Sequence, residues 1–123
     1  LILPQNDIGA AGTIALARAL ETNTSLYSLN IGGNDIGVEG VEALASVLQQ
    51  NCTLLAIHIH DNVLSLEGVS MLAGSLANNT SVTEVNMQGC DIGSEGAAVL
   101  ADMLTKNETI YSLNLKGNQI GSD

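Results

Sequence analysis

Leu26-Tyr27-Ser28-Leu29-Asn30-Ile31-Gly32-Gly33-Asn34-Asp35-Ile36-Gly37 reads L-x-x-L-x-L-x-x-N-x-I-G. Moved on by 28 positions, the pattern returns as Leu54, Ile57, Ile59, Asn62 and Leu64. A second step gives Val82, Val85, Met87, Cys90 and Ile92, and a third gives Ile110, Leu113, Leu115, Asn118, Ile120 and Gly121. One step backwards finds Leu1, Leu3, Asn6, Ile8 and Gly9. Three full units are expected, 26–53, 54–81 and 82–109, between a partial unit 1–25 and a partial unit 110–123, all in a single array.

Within a unit the apolar period changes once. Leu29 and Ile31 alternate with Ser28, Asn30 and Gly32, as a half-buried strand requires. Val41, Leu44, Ala45 and Leu48 then recur at i, i+3, i+4 and i+7, one face of a helix. The spacing predicts strands near 28–31, 56–59, 84–87 and 112–115, and helices near 38–50, 66–78 and 94–106. The first unit is expected to be helical from Ala10 to Thr22. One unit cannot bury enough apolar surface to order itself, so neighbours must close both of its faces and pair its strands in parallel. Strands pair at about 4.8 Å while helices need about 8–10 Å between axes. The stack should therefore curve, with strands inside and helices outside.

Composition narrows the function. The chain has two Tyr and neither Phe nor Trp, and a formal net charge of −10. Such a charge repels phosphate backbones and anionic membranes, so neither nucleic acid nor a membrane surface is expected as a partner. No apolar run approaches a membrane span. The chain opens in mid-motif at Leu1 and reads as a piece of something longer.

The unit L-x-x-L-x-L-x-x-N/C-x-I-G-x-x-G followed by a helix resembles the leucine-rich repeat, and more narrowly its ribonuclease-inhibitor-like class. The resemblance covers essentially the whole chain. It implies an α/β leucine-rich repeat solenoid, a right-handed β-α superhelix with a parallel concave sheet and α-helices on the convex side. Relatives in that class include repeat domains of NOD-like receptors, the Ran GTPase-activating protein and tropomodulin. The resemblance thus implies a protein–protein interaction module. Its alternatives are a GTPase-activating or other enzyme-regulating domain and a cytoskeletal capping role. Extracellular repeats of the shorter kind usually carry Phe and lack the long helix, which favours an intracellular, cytoplasmic protein here.

Each repeating polar position carries an expectation. Asn6, Asn34, Asn62, Cys90 and Asn118 form a structural ladder whose amides bond backbone groups of the turn and of the adjacent unit. Gly12, Gly40, Gly68 and Gly96 provide close backbone approach or positive φ at the loop-to-helix corner. Asn51 follows a helix and suits a left-handed C-cap. N-x-[ST] sequons occur at Asn23, Asn51, Asn78, Asn79 and Asn107; four of them form one repeat column, read as helix-capping positions rather than glycan acceptors, and Asn78 is merely adjacent. Cys52 and Cys90 sit at different corners, beyond disulfide reach. Two free thiols suit a reducing compartment.

The candidate binding surface is the concave face: Ser28, Asn30, His58, His60, Glu84, Asn86, Gln88, Ser112, Asn114 and Lys116, with Tyr27, Leu55 and Tyr111 along its margin. His58 should lie between Asn30 and Asn86, and His60 between Gly32 and Gln88. Two imidazoles fall short of the three or four ligands a zinc site needs, so no metal is expected and the histidines are read as solvated surface groups. Neither a paired nucleophile and histidine nor a carboxylate dyad is visible. The chain is read as a non-enzyme without cofactor. Glu39, Glu67 and Glu95 make an acidic column on the convex side, and Asp7, Asp35 and Asp91 another at the loop. Both are read as solvated, with docking of a basic partner as the alternative. Open apolar ends at Leu1, Leu3, Leu113 and Leu115 predict end-to-end self-association.

Overall fold

A computed structural model describes residues 1–120; Gly121, the last position of the fifth copy of the motif, lies outside them. Helices α1 (Gly9–Leu20), α2 (Gly37–Leu48), α3 (Leu66–Asn78) and α4 (Gly93–Lys106) alternate with strands β1 (Ser28–Asn30), β2 (Ala56–His58), β3 (Glu84–Asn86) and β4 (Ser112–Asn114). The strands form one parallel sheet in chain order. Each step in the sheet joins residues 28 apart, Leu29 to Ile57 to Val85 to Leu113. The helices pack in the same order on the other side. Leu3 N–H donates to the Asn30 carbonyl, and Ile2 bridges Asn30 in parallel. The first partial unit thus extends the sheet past β1.

The core lies between the layers. Leu29, Ile31, Ile57, Ile59, Val85 and Met87 point inward from the strands and meet Leu44, Leu48, Leu72, Leu76 and Leu100 from the helices, all buried. Leu104 belongs to the same column but is 40 % exposed, because no described helix packs beyond α4. No helix among the described residues is long and apolar enough to cross a membrane.

Several expectations change at the corners. Helix α2 ends at Leu48, two residues before the predicted end, and Asn51 is not left-handed. Its side chain closes the turn instead, accepting from Thr53 N–H at 3.0 Å and Leu54 N–H at 2.8 Å. Gly12, Gly40 and Gly96 have ordinary helical φ, so close approach is what they provide. A Cβ at Gly40 would lie 3.1 Å from Thr13 Cβ, and one at Gly96 2.5 Å from the Ile92 side chain.

Positive φ falls instead on other loop residues, among them Gly9, Gly37 and Gly93 at the helix starts and the column Asp7, Asp35, Asp91 and Gln119. Asp tolerates the left-handed region because its short side chain bonds locally. In the third unit that column holds Val63, whose β-branch disfavours positive φ. The loop there takes another path, and Val63 is 72 % exposed. Ser65 then caps α3, its Oγ accepting from Gly68 N–H at 3.2 Å.

Candidate functional site

On β1, β2 and β3 the middle residue is buried and its neighbours face outward; on β4, the last strand, the middle residue Leu113 is half-buried. This places Ser28, Asn30, Ala56, His58, Glu84, Asn86, Ser112 and Asn114 on the outer, concave side of the sheet in two columns. His58 stands between Asn30 and Asn86, as the register required. A third column follows the strands, through Gly32, His60, Gln88 and Lys116: Gly33 N–H donates to the His60 carbonyl, Asp61 N–H to that of Gln88, and Gly89 N–H to that of Lys116.

The asparagines of the central column share one arrangement. Oδ1 of Asn30 accepts from Gly32 N–H at 3.1 Å, that of Asn86 from Gln88 N–H at 3.0 Å, and that of Asn114 from Lys116 N–H at 3.0 Å. Each amide oxygen is tied to its own chain two residues on, a local turn that Asn favours. The Nδ2 group is left over. In Asn114 it donates to Gln88 Oε1 at 3.3 Å. In Asn30 and Asn86 it has no partner among the described residues.

The histidines are half-buried rather than fully solvated. The imidazole of His60 lies over Gly32, where a Cβ would collide with the ring. Its Nδ1 is buried without a partner among the described residues. No group of three His, Cys, Asp or Glu among the described residues is arranged to hold a metal.

Along the margin, Tyr27 is 65 %, Leu55 45 % and Tyr111 75 % exposed. Their backbones continue the sheet: Leu55 N–H donates to the Tyr27 carbonyl, Thr83 N–H to that of Leu55, and Tyr111 N–H to that of Thr83. Tyr111 also reaches across, its hydroxyl donating to Glu84 Oε1 at 3.1 Å. Glu84 is the one acid, of thirteen in the chain, in the concave columns. The acidic helix column, Glu39, Glu67 and Glu95, is exposed on the other side.

Two amide ladders hold this face in place from beneath. In the first, Asn62 Oδ1 accepts from Asn34 N–H at 3.0 Å and Ile36 N–H at 3.2 Å, and its Nδ2 donates to the Ile31 and Ile59 carbonyls. Asn34 and Asn118 repeat the arrangement one unit before and two units after; Asn34 accepts from Asn6 and Ile8, and Asn118 from Cys90 and Ile92. Cys90 fills the ladder position differently. Its thiol donates to the Ile59 carbonyl at 3.2 Å, and burial pushes its pKa up to about 11. Cys52 is exposed, and both thiols are free.

The second ladder was visible in sequence only as a set of sequons. Nδ2 of Asn51, Asn79 and Asn107 donates to the carbonyls of Leu20, Leu48 and Leu76, the last helical residue one unit back in the first two cases and near the helix end in the third. Their Oδ1 atoms accept from the two amides that open the next strand turn. Each residue thus caps two helices: its backbone N–H bonds a carbonyl of its own helix, Val47, Leu76 and Met103 respectively, and its side chain caps the preceding one. The 28-residue recurrence carried that signal.

Comparison with known proteins agrees with this geometry. The leucine-rich repeat family model matches residues 22–45, 50–73, 78–101 and 106–123. No curated protein matches. Among solved structures, the actin-binding site 2 of leiomodin-1 superposes with a TM-score of 0.84 at 21 % identity, over 94 % of this chain and 68 % of that one. At that identity the likeness is one of fold.

Proposed function

Because the chain belongs to the leucine-rich repeat family, we propose that it is a protein-recognition module, and that the concave face is its binding surface. The observation that carries this reading is the distribution of charge. A chain of net charge −10 keeps its strand face nearly neutral, with Glu84 and Lys116 its only acid and its only lysine, while acids crowd the loops and helices. The margin of that same face bears both tyrosines of the chain, exposed. Aromatic residues are enriched where interfaces concentrate their energy. Side chains projecting at fixed spacing from a paired sheet lose little freedom on binding, which lowers the cost of association. The proposed setting is intracellular, which the two free thiols support.

The test compares faces. Tyr27→Ala, His58→Ala, Glu84→Ala and Tyr111→Ala are made singly, and affinity for a partner recovered by pull-down is compared with melting temperature. At least one should weaken binding by about 2 kcal/mol, with melting unchanged. Normal binding by all four, with loss on charge reversal at Glu39, Glu67 and Glu95, would move the interface to the helices.

A cytoskeletal reading is second, favoured by the likeness to a leiomodin-1 segment described as actin-binding. Co-sedimentation with actin filaments decides it. A pellet without this chain at tens of micromolar filament removes that reading and leaves the first intact.

A further inference from the structure

The central concave column offers hydrogen-bond donors in a row. Asn30, Asn86 and Asn114 each spend Oδ1 on a backbone amide two residues ahead, which turns the NH2 group away from that backbone. The NH2 groups of Asn30 and Asn86 have no partner among the described residues, and neither does the side chain of His58 between them. Asn30, His58, Asn86 and Asn114 occupy one register position on four neighbouring strands. All four are half-buried, so any ligand polar group reaching them is partly shielded from water.

The spacing selects the ligand. Neighbouring strands lie about 4.8 Å apart. An α-helix laid across them advances about 5.4 Å per turn, so it presents one side chain per strand with a drift of about 2 Å over three steps. An extended segment presents one side chain to a given face only every 6.6 Å or so, and drifts about 5 Å over the same distance. From Tyr27 to Gly32 the floor runs five residue steps, about 16 Å. That width accommodates a helix of about 10–12 Å diameter.

Resting on the concave-face reading above, we infer that the partner segment is an amphipathic α-helix crossing the strands. One stripe of this helix carries side-chain oxygen acceptors, glutamine above all, over Asn30, His58, Asn86 and Asn114. The adjacent stripe is apolar and meets Tyr27, Leu55 and Tyr111. Glutamine suits the row better than glutamate because Glu84 flanks it and the chain as a whole is strongly acidic.

The test uses two synthetic peptides of identical composition and the whole 123-residue chain. One peptide is helix-forming, with Gln once per turn beside a Leu stripe and prolines at its ends. The other moves the prolines to its centre. Side-chain NH2 signals of Asn30 and Asn86 are followed by NMR during titration. A second protein, Asn30→Asp with Asn86→Asp, retains an oxygen for each local turn but replaces the donors with acceptors. The helical peptide should shift both NH2 pairs and lose at least tenfold in affinity for the double variant, whose melting temperature stays the same.

Equal binding of the two peptides would overturn the helix, and undiminished binding to the double variant would overturn the donor row. Absence of any concave shift at millimolar helical peptide would overturn the inference altogether. The concave-face reading stands apart from all three, since it falls only if the natural partner ignores Tyr27, His58, Glu84 and Tyr111.

Discussion

Asn79 and Asn23 occupy the same column of the repeat but carry different loads. Asn79 is buried and joins the Leu48 and Asn51 carbonyls to the amides of Ser81 and Val82. Asn23 is exposed and serves only Ser25 and Leu26 within its own turn. Leaving buried polar groups unpaired costs about 1–3 kcal/mol each. Asn79→Ala should therefore lower stability by about 3 kcal/mol or more in urea unfolding, and Asn23→Ala by less than about 1 kcal/mol. The thiols separate in the same way. Native protein at pH 8 should titrate one thiol with Ellman's reagent, the exposed Cys52, and denatured protein two. Folding raises the pKa of Cys90 to about 11, so the unfolded chain ionises first as pH rises. Stability is whole below about pH 8.5, the free thiol's pKa, and declines through the folded value. A Cys90→Asn variant should show less of that alkaline loss; an identical profile would show that the buried thiol does not contribute.

At the scale of elements, α3 gives the plainest prediction. Gly74 lies inside it, exposed, with nothing within 4 Å of a Cβ built there and no positive φ. Gly74→Ala should stabilise the protein by about 0.5–1 kcal/mol through helix propensity alone. The same change at Gly96 should destabilise it, because the new Cβ falls on Ile92. Thermal or urea unfolding of the pair separates the two effects. These elements were legible in sequence because their apolar columns recur with two clean periods. Strand register followed directly, since a step of 28 leaves one pairing. What escaped was the corner chemistry. Asp35 and Asp91 looked like surface charge, yet their backbone conformation is what the turn requires. Asn51, Asn79 and Asn107 do bond the ends of their own helices through backbone N–H, but their side-chain NH2 groups also reach carbonyls one unit back, a contact that only the stacked structure reveals. The concave columns were legible from alternation and register. The orientation of each Asn amide was not, because it depends on a local turn rather than on a period.

At the scale of the whole molecule, the array presents unlike surfaces. Its first-unit end exposes Leu1 at 46 % and Ile2 at 74 %, beside an open apolar depression of about 260 Å³ lined by Leu16, Leu20, Leu26 and Leu29. The other end exposes Leu104. Head-to-tail association of this chain at high concentration is the expected result in sedimentation, and a strict monomer at millimolar concentration would count against it. The side surfaces divide by charge, with acids on loops and helices and a nearly neutral strand face. The most direct test of recognition by that face is a cross-saturation map by NMR of the isotope-labelled chain bound to its unlabelled partner. The account predicts the strongest transfer at Tyr27, Leu55, His58, Asn86 and Tyr111. Transfer confined to the outer faces of α2, α3 and α4, around Glu39, Glu67 and Glu95, would contradict it.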